Sequence, residues 1–268
     1  MKKVLRLLPA LAGVFLTLSA GADDYATGVI NYTPGTGVPT GYTDPTVALG
    51  APSRQTADPM FGTFPVDPFG PPYLTSQVVS VGAGGALTVQ FGSPIQNNAA
   101  NPYGRDFSIF GNTFFQLDNQ TFTMATGAIG GQNPGQTTVS VSADGVTFYT
   151  LNPVFAPTVD GLFPTDGAGN FGRPVDPALT AASFTGRDLA GVRALYAGSG
   201  GGTSYDLAWA VDGNGTPVNL ASASFVRVSV LSGLSEIDGF AVVTVPEPGA
   251  GWLALVGIGL WGWRRRQA

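Results

Sequence analysis

Between residues 23 and 245 no segment sustains a 3.6-residue apolar period over three helical turns. Helices there must be short and few, because a surface helix needs that period to bury one face. What recurs is alternation of apolar and polar side chains, the spacing that sends successive residues to opposite faces of a strand. It predicts strands at residues 77–81, 86–91, 107–110, 137–142, 146–151, 225–231 and 240–245. Turn clusters separate them, among them Gly82-Ala83-Gly84-Gly85, Asn133-Pro134-Gly135 and Asp144-Gly145. In the segment 137–151, Val139 and Val141 face one way, and Asp144-Gly145 offers the positive φ of a tight hairpin.

Many short strands with Gly/Pro turns predict an all-β fold, an antiparallel β-sandwich of jelly-roll type, over residues 76–245. Residues 23–75 are rich in Thr, Gly and Pro, with Asp-Pro steps at 44–45, 58–59 and 67–68. They read as extended loops draped over the sandwich, with room for one early strand. No internal repeat or second-domain linker interrupts the middle of the chain.

The chain has no Cys and no His. That excludes a disulfide framework, zinc-cysteine and iron-sulfur centres, a Cys nucleophile and any Ser-His-Asp triad. Charge divides the chain in three. Residues 1–22 hold three basic groups and no acid, and residues 246–268 hold one Glu against three Arg. The middle, 23–245, holds six Arg and no Lys against sixteen acids, a net of −10. A body this acidic repels polyanions, so nucleic acid is not an expected partner.

The two ends carry addresses. Lys2 and Lys3, an apolar run from Leu7 to Leu18, and the small residues Ala20 and Ala22 ahead of Asp23-Asp24 form the three parts of a secretory signal peptide, cut after Ala22. Such a leader calls for the Sec translocon and signal peptidase. At the other end Pro246-Glu247-Pro248 leads into an uncharged run, 250–263, closed by Arg264, Arg265 and Arg266. This is the composition of a transmembrane helix with a cytoplasmic basic stop. The run covers only about 21 Å of a hydrocarbon core of about 30 Å, which suits transient inner-membrane anchoring better than a permanent span.

A Pro-Glu-Pro motif, a short hydrophobic helix and an Arg cluster, in that order on a chain with a signal peptide, resemble the PEP-CTERM sorting signal. The resemblance implies a Gram-negative host that makes exopolysaccharide. It further implies processing near Pro246-Glu247-Pro248 by the membrane protease exosortase, with the cell surface or the secreted extracellular matrix as destination.

The middle also carries phrases at residues 85–95, 103–112, 139–148, 204–207, 225–228 and 237–242. Their order is similar to that of bacterial cell-surface domains with discoidin-like, galactose-binding-type jelly rolls. In such a fold Asp106, Asp206 and Asp238 come next to strands where one oxygen-only site, suited to calcium, can form. This sequence departs from the pattern at Gly111, where such proteins place a Glu, and at Gly239-Phe240-Ala241, which lacks a repeated Asp. Calcium ligation and turn capping therefore both stand as readings of these acids.

Sugar binding points to Tyr103, Arg105, Tyr205 and Trp209, which lie in or beside loops. Aromatic rings stack on pyranose faces while neighbouring polar groups bond the hydroxyls. Trp209 is the only Trp of 23–245, and a core position is the competing reading for it, since buried aromatics dominate small cores. Glycoside hydrolysis needs two spaced carboxyl groups, and Glu236 is the only Glu of the middle. The Gly-rich run 82–85 precedes a strand rather than a helix, and the run 198–202 lacks a Lys-Ser/Thr ending, so neither reads as a phosphate loop. Residues 142–148 fall one residue short of a sialidase Asp-box and read as a plain hairpin. The expectation is an exported, noncatalytic surface or matrix protein associated with exopolysaccharide and biofilm. It is carbohydrate-binding or purely structural and adhesive, with a secreted polysaccharide hydrolase third.

Overall fold

The computed structural model describes residues 24–60 and 62–244. The signal-peptide residues Ala20 and Ala22, the motif Pro246-Glu247-Pro248, the expected helix 250–263 and Arg264, Arg265 and Arg266 lie outside the described residues. Among the described residues no helix is long and apolar enough to cross a membrane.

The chain runs through β1 (Ala26–Thr33), β2 (Gln55–Asp58), β3 (Gly62–Pro65), β4 (Val79–Gly82), β5 (Ala86–Gln96), β6 (Phe107–Gly111), β7 (Phe114–Leu117), β8 (Ala125–Gly130), β9 (Thr137–Ser142) and β10 (Tyr149–Leu151). Two short helices follow, α1 (Ala181–Phe184) and α2 (Leu189–Tyr196). Then come β11 (Thr203–Tyr205), β12 (Ala210–Val211), β13 (Ser222–Val230) and β14 (Leu234–Val242). Six strands pair in the order β1-β5-β13-β9-β10-β12, and four in the order β11-β6-β14-β4. Every named pairing is antiparallel.

The two sheets share one core, and the alternation explains how. In the larger sheet Val226 lies between Val89 and Val141, and Val228 between Leu87 and Val139. These rows face Val79 and Val81 of β4, Phe107 and Ile109 of β6, and Ile237 and Phe240 of β14. Each large apolar side chain buried this way contributes about 1.5–3 kcal/mol. A satellite core gathers Phe115, Ala125, Phe184, Val192 and Tyr196 from β7, β8, α1 and α2. Leu162, Phe163 and Leu179 pack on that satellite and so fix the loop that follows β10.

Three expectations change. The segment 23–75 is not only loop: β1 is an edge strand of the six-stranded sheet, and β2 and β3 form a hairpin. The turn at Asp144-Gly145 is not a two-residue hairpin, because Tyr149 pairs with Val141 and leaves six residues between the strands. Gly145 does take φ 75°, but the Asp144 side chain accepts the N–H groups of Val146 and Thr147, each at 2.8 Å, and holds them out of the ladder. The last strand begins earlier than expected, at Leu234, and ends at Val242.

Candidate functional site

At one end of the four-stranded sheet β6 begins while β11 and β14 finish, because Tyr205 and Val242 both pair with Phe107. The loop before β6 and the 3-10 turn Leu207–Trp209 after β11 therefore meet there. Asp106 joins them. Its carboxylate accepts from Asn98 N at 3.0 Å, Asn101 Nδ2 at 3.0 Å and Leu207 N at 2.8 Å. Asp206 caps the 3-10 turn by accepting from Ala208 N at 2.7 Å. Burial raises the Asp106 pKa above the ordinary carboxylate value, the Asn98, Leu207 and Asn101 donors opposing it.

This junction brings two of the four expected sugar-site residues into contact. The Arg105 guanidinium carbon sits 4.3 Å from the Trp209 ring centroid, a cation–π geometry. Burial lowers the Arg105 pKa, and the Asp206 and Asp106 charges act the other way, so the guanidinium stays charged. Phe155, 60% exposed, also lies beside Trp209, with ring centroids 6.4 Å apart. Tyr103 lies on the same loop as Arg105, 51% exposed, with φ 57° in the left-handed region.

Arg105 and Phe155 also border a cleft of about 310 Å³ along β11. Its apolar wall includes Pro157, Leu162, Phe163 and Leu179; Ser204 borders it with its hydroxyl 2.8 Å from that of Ser108, while the buried Thr203 hydroxyl is bonded to Val159 O. The lining is mostly apolar with a few convergent polar groups, which is the make-up of a small-ligand site.

Tyr205 does not belong to it. Its ring is fully buried, stacked 5.3 Å from Phe107 in the main core, because Thr203 and Tyr205 share the inward face of β11. Phe155 and the 162–163 wall lie in a loop without alternation, so no periodicity marks them. The one signal available was an aromatic in a Pro-rich segment, 153–157, with no strand to bury it.

The three acids expected to share calcium are not one site. Asp106 lies before β6, whereas Asp238 is level with residues 110–111, about 15 Å along the strand. Asp238 is engaged by Ser53, and the Asp106 oxygens face N–H donors, the surroundings of an anion rather than of a cation. Among the described residues no three acidic side chains group as metal ligands.

Glu236 has a carboxylate neighbour in Asp160. Its own oxygens accept from Ser80 Oγ at 2.9 Å and from Asn112 Nδ2. Asp160 is 3% exposed, accepts from Ser235 Oγ at 2.8 Å, and has no hydrogen-bond partner at Oδ1. Burial, with the Glu236 charge adding to it, pushes Asp160 up to about 7. Neither acid borders the cleft.

Residues 244–266 match the PEP-CTERM protein-sorting motif. A match to this motif implies export, a C-terminal membrane anchor before processing, and exosortase as the processing partner. Among solved structures, a pectin-binding carbohydrate-binding module determined in a monoclinic crystal form is 9% identical. That similarity covers 63% of this chain and 73% of that one, with a TM-score of 0.25. At that score the likeness carries no argument about fold or ligand. No curated protein matches the chain.

Proposed function

We propose that this chain is an exported surface or matrix protein whose jelly-roll-like sandwich binds a neutral polysaccharide without acting on it. The observation that carries the reading is the stack of Arg105 on Trp209 beside exposed Phe155, of which Arg105 and Phe155 border the cleft. The exposed Phe155 ring offers an apolar face to a sugar, and Arg105 and Ser204 offer hydrogen-bonding groups to its hydroxyls. A net of −10 over 23–245 disfavours an acidic polymer and leaves neutral hexose chains as the fitting class. The sorting signal supplies the context, since an exported and processed protein meets the cell's own extracellular polysaccharide.

The test is native-gel retardation of residues 24–244 by the producer's exopolysaccharide and by neutral glucans and galactans. Trp209→Ala and Phe155→Ala should each weaken retention at least about tenfold, roughly 1.4 kcal/mol. Met60→Ala, at an exposed position outside the cleft lining, should leave it unchanged. Absence of retention by every glycan would sink the proposal.

A further inference from the structure

Both tails leave the domain at the end that carries the candidate site. Val243 donates its N–H to the Asp106 carbonyl at 2.8 Å, and Thr244 N bonds Gly172 O at 2.9 Å. Tyr25, at the other end of the described chain, bridges Ala241. Arg105 is thus one residue from the partner of Val243, and the apolar run that matches the sorting motif begins six residues after Thr244.

Six residues reach at most about 20 Å when fully extended. A domain of some 220 residues is about 44 Å across, taking a sphere of the expected radius of gyration. The tether is therefore shorter than the body it holds. It cannot carry the exit end around to the side away from the bilayer, so that end faces the membrane for as long as the anchor is in place. We infer that the membrane masks the Tyr103–Arg105–Trp209 end in the anchored precursor, and that cleavage near Pro246-Glu247-Pro248 unmasks it. The masking of a binding site rests on the polysaccharide reading above; the facing of this end toward the bilayer does not.

The absence of Cys makes a direct test available, because one introduced thiol is a unique reporter. Tyr103→Cys marks the exit end. Leu231→Cys marks the opposite end, in the turn between β13 and β14, at closely similar exposure, 57% against 51%. Each variant of the full chain is reconstituted in phosphatidylcholine vesicles and labelled from outside with a bulky polyethylene-glycol maleimide. The same pair is then made with about 20 Gly/Ser residues inserted after Thr244, adding roughly 25 Å of mean reach.

Lengthening the tether should speed labelling at Tyr103→Cys by about tenfold, the reciprocal of the fraction of time the end is open on the native tether. Leu231→Cys should label at one rate in both. Equal rates at Tyr103→Cys for the two tether lengths would overturn the inference. No glycan enters this experiment, so its failure and a failure of polysaccharide binding are separate results.

Discussion

Asp238 accepts both the N–H and the hydroxyl of Ser53, at 2.8 and 2.7 Å, and thereby fastens the loop before β2 to the outer side of β14. The carboxylate is 2% exposed, and burial pushes it up to about 7, with the two Ser53 bonds opposing. Asp160 stands at about 7 for a similar reason.

These two acids set a pH dependence with a definite sign. Between the ordinary carboxylate value near 4 and about 7 the folded chain binds more protons than the unfolded one, so stability falls as pH rises through that window. A raise of about three units corresponds to at most about 4 kcal/mol per group. Asp44, Asp118, Asp144 and Asp212 are shifted the other way by hydrogen bonds from turn residues, and their contribution is lost only as pH falls below the ordinary value. Thermal unfolding should therefore give its highest Tm between about pH 4 and 5 and a lower one at pH 8. The double variant Asp160→Asn, Asp238→Asn should flatten the slope from pH 5 to 8. A wild-type Tm that rises across that range would refute the assignment.

The strands of the two central sheets were legible because their side chains alternate. Val139 and Val141 in β9, and Val226, Val228 and Val230 in β13, are buried apolar side chains two residues apart. β1 was harder to read. It is an edge strand with register shifts after Ala26 and Val29, and much of its length stays exposed, so its pattern is broken. α2 has eight residues, too few turns for an apolar period to accumulate. The site was legible only in part. Arg105 and Trp209 both stood out as polar-edged loop residues, but their contact joins positions 104 residues apart and depends on the β6–β11 register. Tyr205 was misassigned because a three-residue strand is too short to distinguish an inward from an outward face.

Asp106 should behave as a structural acceptor. Asp106→Ala leaves the donors of Asn98, Asn101 and Leu207 without their partner, and each buried orphan costs about 1–3 kcal/mol. Urea unfolding should show a loss of at least about 3 kcal/mol. Asp106→Asn should also destabilise, since an amide turns one acceptor into a donor facing another N–H. Calcium and EDTA should give the same Tm within about 1 °C, because a ligand that does not bind the folded state adds no stability. A clear rise with calcium would restore a cation site.

Asp166 and Arg193 tie the satellite core to the loop that walls the cleft. The pair is bidentate, Nε to Oδ2 at 2.7 Å and Nη2 to Oδ1 at 2.8 Å, with the Asp166 side chain 3% exposed. Arg193→Met should strand a buried carboxylate and cost about 2–3 kcal/mol, below the usual 3–5 for a buried pair because the Arg193 side chain is itself 37% exposed. Chemical denaturation measures this loss. If the 162–163 wall depends on the pair, glycan retention should weaken in the same variant.

The Gly82-Ala83-Gly84-Gly85 run discriminates between two meanings of glycine. Residues 34–36 cross it at backbone contact: Thr36 N bonds Ala83 O at 3.0 Å, and Gly82 N bonds Pro34 O at 2.7 Å. A Cβ on Gly82 would lie 1.9 Å from the Thr36 carbonyl oxygen, and one on Gly85 2.6 Å from those of Thr33 and Pro34. Gly84 has open space around it and needs glycine only for its φ of +77°. The run is thus the turn that its composition predicts, but one that a second chain segment crosses at backbone contact. Gly82→Ala and Gly85→Ala should each cost more than about 3 kcal/mol or prevent folding, since backbone on both sides must move. Gly84→Ala should cost only about 1–2 kcal/mol, the strain of a left-handed residue. Thermal melts of the three variants decide the point, and equal losses at all three positions would show that conformation rather than crowding sets the need for glycine here.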